Sequence, residues 1–257
     1  ALVLFYGSDV TLQQKPIIAI FHSISAFCNA GFSILPDGLA NPLVNTNYLF
    51  QVTITVLIIL CGIGFPVLLL IYNAIKKKSQ DFIGTYIGRK KDRKVVPFVI
   101  GHWLAIKTTG ILLLVGTILY FVFEKSNSLT GVEGCGRWVI AFFGSVSART
   151  AGFNVMDITR WSYPTIFIMI ILMWIGASPG STGGGIKTTT LALAFEATVN
   201  YIRGKEHFEI GNREIGRATL QRVLAIIITS ISLIIGSLLI LMLLEPGKNP
   251  VYLLFEC

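Results

Sequence analysis

Apolar residues come in long runs broken by short polar punctuation, and three of the runs, 49–72, 99–123 and 223–244, reach the roughly 20 residues needed to cross the hydrocarbon of a bilayer. Each predicts a membrane-spanning helix. A fourth apolar run, 163–175, leads straight into "GASPGSTGGGIKTTT" (176–190), which carries five glycines, a proline and a lysine before the helix-like "LALAFEATVNYI". Two shorter apolar stretches, "PIIAI" and "RWVIA", are too short to span. No run reads as a cleaved signal peptide, because none combines a short N-terminal apolar segment with a basic head and a small-residue cleavage site.

Composition agrees with the pattern. Of 257 residues, 53% are hydrophobic and only 13% charged, about half the charged fraction of a soluble domain. The net charge of +8 would suit nucleic acid if it were spread over one face, but 13 of the 21 Lys and Arg lie in two segments, 74–97 and 201–222. The positive-inside rule places both in the cytoplasm and puts "PDGLANP" and "EKSNSLTGVEGCG" outside. No nucleic-acid partner is expected. Contact of the basic segments with anionic lipid is the simpler reading of their charge. Cys28, Cys61, Cys135 and Cys257 are scattered without CxxC spacing, so neither a zinc site nor a disulfide framework follows.

An internal repeat changes the reading. "FHSISAFCNAGFSILPDGL" (21–39) and "FFGSVSARTAGFNVMDI" (142–158) share S-x-S-A, then residues ending in Asn or Thr, then A-G-F. Gly31 and Gly152 correspond. Each copy follows a short apolar stretch and precedes a polar segment and a long run, the outline of a re-entrant hairpin. Such backbone survives at membrane depth only where it lines a wet cavity or is buried in protein. A glycine among small residues lets successive carbonyls point one way and replace an ion's hydration shell, while the preceding short helix aims its negative end at the ion. The competing explanation for A-G-F is close helix packing through a small residue; two copies in equivalent positions favour the ion.

On these motifs, "SAFCNAGFS", "SARTAGFN" and "GASPGSTGGGIKTT", the chain resembles the Trk/Ktr/HKT superfamily of potassium transporters, most closely the bacterial Ktr and Trk membrane subunits, over essentially its whole length. The resemblance implies an all-α membrane protein built from units of outer helix, re-entrant pore helix with filter loop, and inner helix around a central pore, the third inner helix being broken by the Gly-rich loop. It implies potassium binding mainly by backbone carbonyls at Asn29, Ala30, Gly31 and Phe32 and at Thr150, Ala151, Gly152 and Phe153. In plant relatives a serine at one filter position goes with sodium transport, and both filters here carry Gly. Gly176, Pro179, Gly180, Ser181, Thr182, Gly183, Gly184, Gly185 and Lys187 would form an intramembrane gate. The resemblance further implies membrane lipid, a homodimer and a cytoplasmic ring of nucleotide-binding regulatory subunits as partners, potassium as cargo with sodium or proton as any coupling ion, no covalent cofactor and no enzymatic activity.

On that plan, 1–73 holds the tail of an outer helix ("ALVLFY") and the second repeat's pore helix, filter and inner helix; 74–97 is a cytoplasmic basic loop; 98–200 is the third repeat with its gating loop at 176–190; 201–222 is a cytoplasmic loop; and 223–257 begins a fourth repeat. Without an initiator Met, and starting and stopping within helices, the chain is expected to be a fragment.

The glycine loop has an alternative, phosphate binding by a membrane enzyme or ATP-driven component. A Walker-type loop needs Lys directly after the last glycine and a strand before it, whereas Ile186 intervenes and an apolar helix precedes. Three consecutive glycines and Pro179 disfavour a helix and predict an unwound, movable segment. Lys187 is either an intramembrane charge facing a cavity or a side chain snorkelling to the cytoplasmic interface. Arg149 would repel a cation if it faced one, so it is expected behind the pore helix, on a carboxylate or backbone carbonyls. His22 and His102 are expected as satisfied core residues, and Trp138 and Trp161 as interfacial anchors.

Overall fold

The computed structural model describes residues 15–42, 44–86, 100–204, 209–210 and 213–257. The expected outer-helix tail at 1–6 and the basic stretch at 87–94 lie outside the described residues. Nine helices account for almost all regular structure there: α1 (Lys15–Phe27), α2 (Tyr48–Ile63), α3 (Phe65–Tyr86), α4 (Ile100–Glu124), α5 (Gly136–Ser147), α6 (Tyr163–Trp174), α7 (Thr188–Ile202), α8 (Arg217–Leu244) and α9 (Pro250–Glu256). A two-residue antiparallel ladder pairs β1 (Glu209–Ile210) with β2 (Arg213–Glu214). The fold is thus all-helical apart from that ladder.

Helix lengths sort the elements by what they can do in a bilayer. At about 1.5 Å per residue, the 25 residues of α4 and the 28 of α8 exceed the roughly 30 Å hydrocarbon. The 13 residues of α1, 12 of α5 and 12 of α6 do not. Large apolar side chains on α8 face outward, among them Ile228, Leu233, Leu243 and Leu244, a surface that suits lipid and not water.

Three elements depart from the sequence expectation. The run 49–72 is not one continuous helix: α2 and α3 meet at a 101° bend. Gly64 sits there with φ +92°, and Pro66 follows as the second residue of α3, where its missing N–H removes no helical bond. Lys76, Lys77 and Lys78 lie on α3 instead of in a loop, because 74–80 contains no glycine or proline to stop the helix. The helix expected from 223 starts six residues earlier, at Arg217.

The core forms on both sides of α5. One cluster joins Ile18, Ala26, Phe50, Ile54, Phe143, Val146, Ala151 and Phe153; the other joins Tyr120, Leu129, Ile140, Met169 and Leu172. Small residues bring the helices close. A side chain on Gly116 of α4 would collide with Ser145 of α5, and one on Gly144 would lie 3.0 Å from the Tyr120 ring. Trp161 packs edge-on against Tyr120 and Phe255, with centroids 5.8 and 6.3 Å away, and so joins this second cluster. Trp138 is half exposed and stacks on Phe121 at 4.1 Å.

Glu124 closes the end of α4 against the start of α6. Its carboxylate is fully buried. It accepts from Thr165 Oγ1 at 2.6 Å, Ser162 N and Oγ at 2.9 Å, Asn127 Nδ2 at 3.0 Å and Ser128 N at 3.2 Å. A negative charge here also complements the N-terminal end of α6. Replacing Glu124 with Ala strands several buried donors, and the detergent-solubilised protein is expected to melt roughly 5 °C lower. Glu124→Gln, which keeps one acceptor oxygen, should fall between. Thermal unfolding followed by tryptophan fluorescence reads the difference.

Candidate functional site

The two A-G-F segments adopt the same backbone. In the first, Asn29 and Gly31 are left-handed, with φ +52° and +71°; in the second, Thr150 and Gly152 are, with φ +69° and +77°. Glycine enters this region freely and asparagine tolerates it. A β-branched threonine does not, and a residue held there stores roughly 1–3 kcal/mol that the surroundings must offset.

The second serine of each S-x-S-A holds this conformation. Ser25 Oγ donates to Phe32 O at 2.8 Å, and Ser147 Oγ donates to Phe153 O. Ala30 N bonds Ser25 O at 2.8 Å, and Ala151 N bonds Ser147 O at 3.0 Å. The same atoms pair although the first copy has one residue more between serine and alanine. These serines were not singled out from sequence, although S-x-S-A was the repeat's most regular part. The loops also meet: a Cβ on Gly31 would stand 2.6 Å from Ala151 O, and one on Gly152 3.4 Å from Gly31 Cα. Beside them opens a cavity of about 310 Å³ whose lining includes Asn29, Thr150, Gly152 and Met173.

His22 links the first loop to its helix. Its Nδ1 lies 2.8 Å from Ile18 O and its Nε2 2.8 Å from Ser33 Oγ, and the ring is fully buried. Since a carbonyl only accepts, the proton sits on Nδ1 in the neutral ring. His102 keeps a buried Nδ1 with no partner among the described residues.

Residues 176–187 form a bonded hairpin between α6 and α7. Ala177 N reaches Gly184 O at 3.3 Å, Ile186 N reaches Trp174 O at 3.0 Å and Thr188 N reaches Ala177 O at 3.3 Å. The hairpin docks on the break between α2 and α3. Ser178 N donates to Gly62 O and Phe65 N to Gly180 O, both at 3.0 Å, and Cys61 Sγ lies 3.0 Å from Thr182 Oγ1. Close approach accounts for two of its glycines better than flexibility does. A Cβ on Gly176 would overlap the Gly184 carbonyl, and one on Gly183 would lie 2.6 Å from Thr150 Oγ1. Gly183 therefore stands directly against the Thr150 end of the second loop, with Asn29 Nδ2 3.6 Å from the same point.

Two cations hold the hairpin. Arg149 is buried, and its guanidinium donates to Gly176 O at 3.1 Å and to Thr109 Oγ1 at 3.5 Å. Lys187 Nζ donates to Gly183 O at 2.6 Å, so it turns into the hairpin. Phosphate binding finds no support in this geometry: a helix precedes the loop, and the amides of Ala177, Ser178, Ser181, Ile186 and Thr188 are spent on carbonyls.

Comparison with known proteins gives a consistent result. The family model described as TrkH, cation transport protein, matches residues 3–257. The Ktr system potassium uptake protein B of Vibrio alginolyticus is 39% identical over 92% of this chain and 48% of its own length. The potassium/sodium uptake protein NtpJ of Enterococcus hirae is 34% identical over 93% of the chain and 49% of its own length. Among solved structures, the potassium transporter TrkH from Vibrio parahaemolyticus covers 97% of the chain with a TM-score of 0.66 at 18% identity, a likeness of fold. The chain spans about half the length of the relatives it matches.

Docking of the hairpin can be tested through Cys61, which is buried under Thr182. A Cβ on Gly64 would lie 2.5 Å from Pro179 O, on top of its φ of +92°. Gly64→Ala should push the hairpin off the α2–α3 break and raise the rate of Cys61 alkylation by roughly tenfold, the equivalent of about 1.4 kcal/mol in a local opening equilibrium. Peptide-resolved mass spectrometry after a maleimide pulse measures it.

Proposed function

This chain belongs to the TrkH family of cation transport proteins, and from that premise we propose that it forms part of a potassium uptake pathway across the cell membrane. The Gly31 and Gly152 loops supply carbonyls that replace the ion's water, and the hairpin at 176–190 closes the path beneath them. The matched left-handed pairs Asn29/Gly31 and Thr150/Gly152, each tied by its serine, carry this reading. Positive φ at every second residue, Asn29 and Gly31 or Thr150 and Gly152, is the backbone pattern that can turn successive carbonyls toward one side, which is what a dehydrated cation needs. The C-terminal ends of α1 and α5 point at the loops and add favourable negative potential. The relatives' printed names, potassium uptake and potassium/sodium uptake, supply the cargo; sodium or a proton is the candidate for a coupled ion.

Closure follows from position and charge. Gly183 abuts Thr150, and Lys187 places an ammonium on the Gly183 carbonyl, so a cation leaving the loops meets both backbone bulk and a fixed positive charge. The basic segments at 74–97 and 201–222 face the cytoplasm in this reading. They contact anionic lipid or a ring of nucleotide-binding subunits beneath a homodimer.

Two outcomes are expected in the complete protein expressed in uptake-deficient cells. Gly152→Ser crowds the loop and tilts a carbonyl, and should lower the potassium-to-sodium uptake ratio by roughly tenfold, the loss of about 1.4 kcal/mol of discrimination. An unchanged ratio at measurable uptake refutes the carbonyl assignment. Lys187→Ala removes the repulsive charge while leaving the hairpin's bulk, and should raise resting potassium flux several-fold without moving that ratio; flux at or below the parent's would make the hairpin a structural joint.

A further inference from the structure

The Asn29 and Thr150 side chains occupy equivalent places in the two loops, and both carry buried polar atoms that go unused. Asn29 Oδ1 and Nδ2 and Thr150 Oγ1 have no hydrogen-bond partner among the described residues. Buried polar atoms left this way are unusual and ask for a reason. Both residues are left-handed at these positions. Thr150 in particular is held where a β-branched residue rarely settles, and such strain concentrates at ligand sites. Both line the 310 Å³ cavity beside the loops, and both abut Gly183, Thr150 Oγ1 and Asn29 Nδ2 lying 2.6 and 3.6 Å from where its Cβ would stand.

We propose that Asn29 Oδ1 and Thr150 Oγ1 form a side-chain cation site for a partly dehydrated monovalent ion at the hairpin end of the two loops, and that docking of Gly183 and occupancy of this site are mutually exclusive. The inference rests on the cation-pathway reading above and adds to its carbonyls a second kind of ligand. An amide oxygen and a hydroxyl are neutral, hard donors that bind potassium without trapping it. Neither has a hydrogen-bond partner among the described residues, so withdrawing the hairpin frees two acceptors that are already desolvated. In the docked state Gly183 covers them, and Lys187 lies on the Gly183 carbonyl at 2.6 Å, a tethered ammonium just below the place an ion would take. Potassium arriving from the loops competes with the hairpin apex, which makes ion occupancy itself a force for opening.

The test uses the complete protein. Thr150→Val keeps shape and branching and removes the hydroxyl; Thr150→Ser keeps the hydroxyl. Thr150→Val should raise the half-saturating rubidium concentration for uptake about fivefold, the loss of one neutral ligand worth about 1 kcal/mol, and Thr150→Ser should stay within about twofold of the parent. In reconstituted protein, replacing N-methylglucamine with potassium should speed alkylation of Cys61, which the docked hairpin buries, and Thr150→Val should abolish that dependence. Asn29→Leu supplies the same comparison from the other loop if Thr150→Val does not reach the membrane. Equal losses in Thr150→Val and Thr150→Ser would mean a packing role and overturn the site. Normal half-saturation and intact potassium dependence in Thr150→Val and Asn29→Leu would overturn it too, and would leave the pathway standing if Gly152→Ser shifts the ion ratio. If none of the variants moves either quantity, the pathway reading fails with it.

Discussion

Backbone groups at membrane depth must find partners inside the protein, and the two A-G-F loops and the hairpin at 176–187 are organised as that requirement demands. The two A-G-F loops leave helices that are too short to span, so their carbonyls and amides lose the helical ladder where water is scarce. Ser25 and Ser147 each take one freed carbonyl, at Phe32 and Phe153, while alanine amides return to the serine carbonyls. The two loops then pack backbone to backbone, with Ala151 O and Gly152 against Gly31. A loop solved this way has few conformations available, which is what a site that must fit an ion of one size needs.

The same requirement explains why the chain breaks together between α2 and α3 and between α6 and α7. A break in α2–α3 alone would orphan Gly62 O and Phe65 N, and a break in α6–α7 alone would orphan Ser178 N and Gly180 O. Each break satisfies the other through two bonds of 3.0 Å. The glycines at the contact, Gly64 and Gly180, both have positive φ and leave room for Pro179 O and the Pro66 ring. Arg149 belongs to this arrangement. A guanidinium beside a cation path would oppose the cargo, but here it is directed to Gly176 O, where it anchors the base of the hairpin and becomes a fixed part of the scaffold.

What the amino-acid order revealed and what it hid divide along physical lines. Long spans, short helices and the A-G-F repeat were legible because hydrophobic length and local backbone chemistry are written in consecutive residues. Arg149's turn toward a carbonyl followed from charge alone. The bend at Gly64 was hidden because "GIGFP" is uniformly apolar, and hydropathy does not register a change of direction. The tightness of the hairpin was hidden for another reason. Consecutive glycines signal conformational freedom, yet Gly176 and Gly183 are required by neighbours 8 and 33 positions away in the chain, at Gly184 and Thr150. Nor could the pairing of Glu124 with Ser162 and Thr165 be read, since it joins residues about forty positions apart with α5 and the second A-G-F segment between them.

Movement of the hairpin is governed less by its glycines than by what replaces its bonds. Undocking breaks the bonds from Ser178 N to Gly62 O and from Phe65 N to Gly180 O and exposes Cys61. If water fills the space, each backbone bond is exchanged for one to solvent and its loss amounts to only about 0.5–1.5 kcal/mol. In a dry space each orphaned group carries a penalty of several kcal/mol. The larger figure would hold the hairpin docked, and the smaller one lets a modest change in contacts on either side decide its position. Opening is therefore coupled to wetting. Water that enters supplies partners to the amides that the hairpin leaves behind, and α3, which begins at Phe65 with an amide bonded to Gly180, acts on that bond directly when it is displaced.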